Sequence, residues 1–383
     1  METRMRSTAA RIVLLAFAIA IISFNAACPG FLYGSRTARR IIALEGGTLA
    51  IFGSAGRDFD SSRTYYTHVS DAGDILADEI LEPDLSIVPF SVSLCSTGDI
   101  LFGGRQQTYP WVIEKACVMR VTATGEIVWF EIFPEPSGIE GFGIAGEVGS
   151  ILELPDQSIA IAGRHAAGPF HALLNSNGKL EDFFYIGEYV YSASFITKTN
   201  HLIISGVALA QGFDKDIQVQ YLLDDRSISW NLTFPHFGAE ESRRVIEAAN
   251  SDVVVSGGAS GSNTDSRPRR FFLLRIASDG DLLWEREYEV PVIDGALRES
   301  MGAHALTETG DGSLYTAGTG VLIKLNPDGD ELWRIPVTGT AYDVTPTNNG
   351  GVWVAGGRLV SRLDRAFLMK VDEDGTVIFD REY

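Results

Sequence analysis

Basic residues are scarce in this 383-residue chain, where 31 Lys and Arg stand against 50 Asp and Glu for a formal charge of −19. That deficit argues against nucleic acid and against anionic membrane surfaces as partners, since both attract the opposite sign. The six histidines, His68, His165, His171, His201, His236 and His304, show no metal-ligand spacing, neither HExxH nor a Cys/His cluster. No G-x-S-x-G is present, and Ser278-Asp279-Gly280-Asp281 falls short of an S-x-D-x-G box. The reading therefore assigns no catalytic residue, no metal and no cofactor. No linker, low-complexity segment or useful length of helix interrupts the chain. Its one long apolar run, Ile12 to Phe24, is short for a bilayer span.

What the chain does hold is a repeat. Its cleanest copy, Ala303 to Val337, reads as four short strands parted by Gly310-Asp311-Gly312, by the glycines near Gly318, and by Asn326-Pro327-Asp328-Gly329. Apolar runs bounded by Gly, Asn, Asp and Pro are hairpin signals, and four in a row make a meander. The second turn recurs at Gly73, Gly125, Gly178, Arg226, Gly280, Gly329 and Gly375, about 46 to 54 residues apart, the period of four-stranded propeller blades. Four residues further on stands Trp129, Trp230, Trp284, Trp333 or Phe379; two copies carry Ala77 and Asp182 there instead. An aromatic at fixed phase predicts packing between blades. A first turn recurs too, followed by an apolar strand that ends on Gly53, Gly103-Gly104, Gly163, Gly206, Gly257-Gly258, Gly318 or Gly356-Gly357.

The runs Leu322-Ile-Lys324-Leu-Asn326-Pro-Asp-Gly329-Asp-Glu-Leu-Trp333 and Leu368-Met-Lys370-Val-Asp372-Glu-Asp-Gly375-Thr-Val-Ile-Phe379 resemble the tandem propeller repeats of bacterial secreted proteins and lipoproteins grouped as quinoprotein-like or PQQ-like. Phe272 to Trp284 matches as well, with Arg275 in the Lys place. The seven copies predict an all-β fold, a single seven-bladed β-propeller of four-stranded antiparallel blades over residues 37–383 after an N-terminal export signal, and the resemblance, which covers about Thr37 to Tyr383, implies the same propeller fold. It implies no particular function, because propellers host many roles. Quinone-dependent members usually have eight blades, and no quinone or calcium site is recognisable here. Ending on a fourth strand, the chain leaves no strand for a shared closing blade, so closure is expected from packing between the first and last copies.

Residues 1–27 have the layout of a signal peptide: Arg4, Arg6 and Arg11, then the apolar run, then Ala26-Ala27 before Cys28. Cleavage would take the formal charge to about −21. Ala-Ala-Cys resembles a lipobox with Asn25 in place of the usual Leu, so Cys28 is a candidate lipid anchor, with plain cleavage as the alternative. Residues 28–36 would form a short tether. Pro29 after the cysteine points by family habit to an outer membrane or cell surface, and without lipidation the protein would be periplasmic or secreted. Cys95 and Cys117 fall two strands apart in one meander, about 9.5 Å, beyond the roughly 7 Å reach of a disulfide. Two buried, unbridged thiols are expected.

Alternate connections of a meander lie at opposite ends, so the long second-to-third-strand loops share a face with the blade crossings. Binding is expected on that face. Arg57, Arg105, Arg164 and Arg358 stand at or just after the strand-ending glycine, a partial ring able to grip an anion. Glu135, Glu140, Glu147, Glu188, Glu240, Glu241 and Glu299 on the same face offer them internal partners instead. Tyr109 and Trp111, with Tyr65, Tyr66, Phe170 and Phe213, are aromatics of the kind found in protein-binding and carbohydrate-binding surfaces. Gly141-Phe-Gly143-Ile-Ala-Gly146 fits G-x-G-x-x-G but leads into a strand, which removes the helix terminus a dinucleotide needs. The sequence points to a monomeric, non-catalytic binding scaffold outside the cytoplasm, meeting the membrane only through its lipid and offering the long-loop face to a protein or glycan. The alternative is an enzyme acting on an acidic carbohydrate or another anion at that face.

Overall fold

The computed structural model describes residues 35–56, 63–81, 86–108, 113–133, 146–165, 168–186, 190–197, 199–209, 215–234, 239–260, 270–290, 302–360 and 363–383. The leader, the tether through residue 34, and with them Cys28, lie outside the described residues. Among the described residues, apart from one short 3-10 turn at Glu45–Gly47, the regular structure is all β.

The first sheet is the meander β1 (Ser35–Ala43), β2 (Leu49–Gly56), β3 (Arg63–Val69) and β4 (Ile75–Leu81). The second is β5 (Ile87–Leu94), β6 (Ile100–Thr108), β7 (Ile113–Val121) and β8 (Ile127–Ile132), and the third β9 (Glu147–Glu153), β10 (Ile159–His165), β11 (Gly168–Leu174) and β12 (Leu180–Tyr185). The fourth holds β13 (Val190–Ile196), β14 (Leu202–Leu209), β15 (Lys215–Leu222) and β16 (Ile228–Phe234). The fifth holds β17 (Ala239–Glu247), β18 (Val253–Ser260), β19 (Arg270–Ile276) and β20 (Leu282–Glu289), and touches the fourth through one parallel pair, Lys215 with Ala239. Last come β21 (Ala303–Glu308), β22 (Leu314–Leu325), β23 (Glu331–Pro346), β24 (Val352–Val360), β25 (Leu363–Val371) and β26 (Val377–Glu382) in one six-stranded sheet.

The expectation of seven separate four-stranded blades is corrected by this topology. The propeller has six blades, five of four strands and a last of six, and the last blade carries the final two copies of the sequence unit. Two local features join them. β22 has no loop at its middle: residues up to Gly318 pair with β21, those from Thr319 pair with β23, and Gly320 sits at φ 88° where the partner changes. β23 runs unbroken through the crossing between the two copies, pairing with β22 through Thr340 and with β24 from Thr340 onward.

The core lies between neighbouring sheets. Val253, Val254 and Val255 show how: alternation along β18 sends the outer two toward Ile203, Ile217 and Val219 of the fourth blade, and Val254 toward Leu314, Val321 and Ile323 of the sixth. A strand buried on both faces needs an unbroken apolar run, which explains the valine triplet. The ring closes the same way, with Ile41, Leu49 and Tyr65 packed against Trp353, Ala355 and Leu368. No β1–β4 strand enters the last sheet. Polar contacts seal the seam: Gly73 O accepts from Arg381 Nη1 and from Tyr383 Oη, each at 2.9 Å, and Lys370 pairs with Asp71.

The fixed-phase aromatics pack between successive sequence units, which are neighbouring blades except for the last two, joined in one sheet. Trp129, Trp230, Trp284 and Trp333 each donate Nε1 to a carbonyl in the next unit's second turn, those of Ser176, Ser278, Pro327 and Glu373, at 2.9 to 3.2 Å. The repeat's Lys or Arg reaches the same place: Arg275 Nη1 donates to Pro327 O at 3.1 Å and Lys324 Nζ to Glu373 O at 3.0 Å. The turn glycine sits under the indole; a Cβ on Gly280, at φ 99°, would lie 2.9 Å from Trp230. The two exceptions are also explained. Where Ala77 replaces the aromatic, Tyr66 covers Gly125 and donates to Ala123 O. Where Asp182 replaces it, Arg226 stands in the glycine's place at φ 72°, ion-pairs with Asp182 and stacks 4.2 Å from the Phe184 ring.

Candidate functional site

Each innermost strand carries one residue more than its partner. The ladder slips at Arg39, Phe90, Gly149, Ser192, Arg243, His304 and Tyr342, which lie in β1, β5, β9, β13, β17, β21 and the second half of β23. Such β-bulges bend the strand and re-aim the extra side chain. They also explain the recurring glycine at the end of the second strand. The carbonyl before the bulge folds over it, so that a Cβ on Gly163 would stand 1.9 Å from Glu147 O and one on Gly356 2.1 Å from Thr340 O.

The bulges assemble an arc of cations and aromatic rings. Arg39 Cζ lies 4.2 Å from the Tyr342 ring centroid, His304 lies 5.6 Å from that ring, and Arg105 Cζ lies 5.3 Å from the Phe90 ring. All five of these residues are partly exposed.

One residue past the bulges, Arg40, Arg244 and Asp343 meet. Arg40 donates Nε to Phe90 O, and Nη1 to Arg39 O at 2.6 Å and to Tyr342 O at 3.2 Å, so one guanidinium ties the bulges of β1, β5 and β23 together. Asp343, itself buried, accepts from Arg244 Nη2 at 2.9 Å and from Ile41 N at 3.1 Å. Burial, then the nearby charge of Arg244, lower Arg40 to about 9, which still leaves it charged at neutral pH. With two arginines and one aspartate, the cluster is cationic in a strongly acidic protein.

The arginines singled out in the sequence are placed in three ways. Arg105 and Arg164, from neighbouring blades, converge on Glu147, with contacts of 3.7 Å and 3.2 Å. Arg358 stacks 4.5 Å from the Phe367 ring and pairs with Asp380 and Glu382 of the outermost strand β26. Arg57, Tyr109 and Trp111 lie outside the described residues, as does Phe213. Tyr65, Tyr66 and Phe170, expected on the surface, are buried: they sit on the inter-sheet faces of β3 and β11. Gly146 leads into the strand β9, as expected of a glycine motif with no helix behind it.

Sequence reasoning missed Arg39, Arg40, Arg243, Arg244, Tyr342 and Asp343. Their position is regular, five residues before the one that opens the first turn (Arg39 before Leu44, Arg243 before Ala248, Tyr342 before Thr347), but only the strand pairing marks them as bulges. Guanidinium groups are donors only and stay charged, so this arrangement can hold an anion but does not pass protons. Among the described residues no group of three or more His, Cys, Asp or Glu is placed to hold a metal ion. No helix among them is long and apolar enough to cross a membrane. Cys95 and Cys117 are free and buried, and burial pushes Cys95 up to about 12 and Cys117 higher still.

Fold and site together define a β-propeller with a charged axis. Neither a family model nor a curated protein matches the sequence. Among solved structures, the chain is similar to a protein of unknown function from Dyadobacter fermentans DSM 18053, at 10% identity over 87% of this chain and 94% of that one, with a TM-score of 0.54. That likeness shows the fold alone. A protein of unknown function from Bacteroides caccae aligns at 14% identity over 79% of this chain and 94% of that one, TM-score 0.46. Drosophila Plexin A, solved in complex with Semaphorin 1b, aligns at 9% identity over 85% of each chain, TM-score 0.47.

Proposed function

We propose that the protein is a non-catalytic binding scaffold outside the cytoplasm, tethered through a lipid on Cys28, whose long-loop face receives a protein or glycan partner. The observation that carries this reading is the fate of the arginines on that face. Arg105 and Arg164 are spent on Glu147, and Arg358 on Asp380 and Glu382, so they brace the scaffold. A rigid ring with long loops at one end is the arrangement in which binding residues ride on loops. The leader and the PQQ-like repeat pattern support an envelope location.

Site-specific photo-cross-linking in cells tests the reading. A photoreactive residue at Tyr109 or Trp111 should give a discrete protein or glycan adduct, and one at Asn349 on the tight-turn face should not. Adducts only from the Asn349 position, or turnover of an acidic carbohydrate by the purified protein, would overturn it. Mass spectrometry of the cell-derived N-terminal peptide should find diacylglycerol on Cys28; an unmodified cysteine or a cleaved, unlipidated terminus would remove the anchor.

A further inference from the structure

Among the described residues of the axis, Arg39 is the arginine with neither an ion pair nor a side-chain hydrogen bond, its one contact being the Tyr342 ring. Arg40 is held by three backbone carbonyls, Arg244 by Asp343, Arg105 and Arg164 by Glu147, and Arg243 by Glu241. Among the described residues no carboxylate lies within ion-pair distance of Arg39, and its Nε is buried without an acceptor. Its Cζ lies over the Tyr342 ring, 4.2 Å from the centroid, and Tyr342 in turn lies beside His304. A stacked guanidinium loses little freedom when it forms two parallel hydrogen bonds to a planar carboxylate.

We propose that the bulge layer at the propeller axis is a binding site for a small carboxylate-bearing molecule, gripped by Arg39 on its Tyr342 platform within the field of Arg40 and Arg244. Arg244 is ion-paired with Asp343, while Arg40 is hydrogen-bonded to carbonyls and stands in the fields of Asp343 and Glu147 without an ion pair to either. The formal charge of −19 makes the site selective by position: anions are repelled by most of the surface and attracted at this spot. The site goes beyond a partner-binding role for the long loops and does not depend on it.

The purified protein, titrated with citrate and separately with inorganic phosphate against sodium chloride of equal ionic strength, should melt higher in citrate by about 3 °C at a hundredfold excess over Kd. Arg39→Gln should abolish the shift. Arg39→Lys, which keeps the charge but loses the fork, and Tyr342→Leu, which removes the platform, should weaken citrate at least about tenfold. Arg358→Gln should leave it unchanged. A chloride control that matches citrate, a shift retained in Arg39→Gln, or no shift at all would overturn the proposal, and phosphate acting as strongly as citrate would overturn its carboxylate preference. Should Arg39→Gln fail to fold, crystals of the wild type grown in citrate decide: density against Arg39 supports the site, and its absence there refutes it.

Discussion

His171 is the residue whose protonation this fold resists most clearly. It is buried in β11, its Nε2 donates to Asn200 Oδ1 at 3.1 Å, and its ring lies 5.2 Å from Phe184. Burial, with a smaller push from Arg226, lowers it to about 4. A lowered histidine stays neutral in the folded chain while the unfolded chain takes up a proton below about 6.5, so its contribution is present above that pH and lost as pH falls toward 4. The loss should reach about 3 kcal/mol, and His171→Gln should flatten urea-derived stability across that window. A profile unchanged in the variant would show that His171 is not the source. A second single-residue effect is conformational. Gln157, Asn200 and Ser251 occupy φ of 68°, 60° and 68° in first turns where other copies have glycine. Ser251→Gly should raise the unfolding free energy by about 0.5–1 kcal/mol, net of the greater freedom glycine gains when unfolded.

At the scale of the element, the repeat is a rule about neighbours. The aromatic of one unit, the basic residue beside it and the turn glycine of the next form one joint, so each copy specifies half of two contacts. The Asp182 and Arg226 pair substitutes both halves at once. Restoring the rule with Asp182→Trp and Arg226→Gly together should stabilise the chain more than the sum of the single changes, by about 1–2 kcal/mol in a double-mutant cycle. Additive singles would mean the joint does not act as a unit. Strands, turns and this joint were legible in the sequence because period-two burial and turn chemistry act over a few residues. The axial arc was not. A bulge is a difference in count between two strands, and no single strand displays it. Arg39 and Arg243 therefore read as ordinary first-strand residues until the ladder showed that they were the unpaired ones. The number of blades failed for a related reason. Whether Gly318-Thr319-Gly320 and Val337 to Ala341 separate sheets or continue them depends on pairing, and the sequence unit is silent on pairing.

For the whole molecule, the axis does the work that a shared closing strand would otherwise do. Arg40 draws the bulges of the first, second and last blades onto one guanidinium, and Asp343 links β1 to β17 across the ring. Outside the axis, the polar contacts of the seam among the described residues fall on Asp71, Gly73 and Asp74 and between Asp364 N and Ser35 Oγ, and they are largely exposed and individually weak. Closure should thus depend on the buried charges more than on the rim. Breaking a buried pair leaves an uncompensated charge, which costs far more than losing a surface pair. The decisive measurement is urea unfolding of Asp343→Ala beside Asp74→Ala. A loss of about 3–5 kcal/mol for Asp343→Ala, with Asp74→Ala within about 1 kcal/mol of wild type, is the expected result. Equal, small losses from both would contradict the account, because the ring would then be closed by its apolar seam alone.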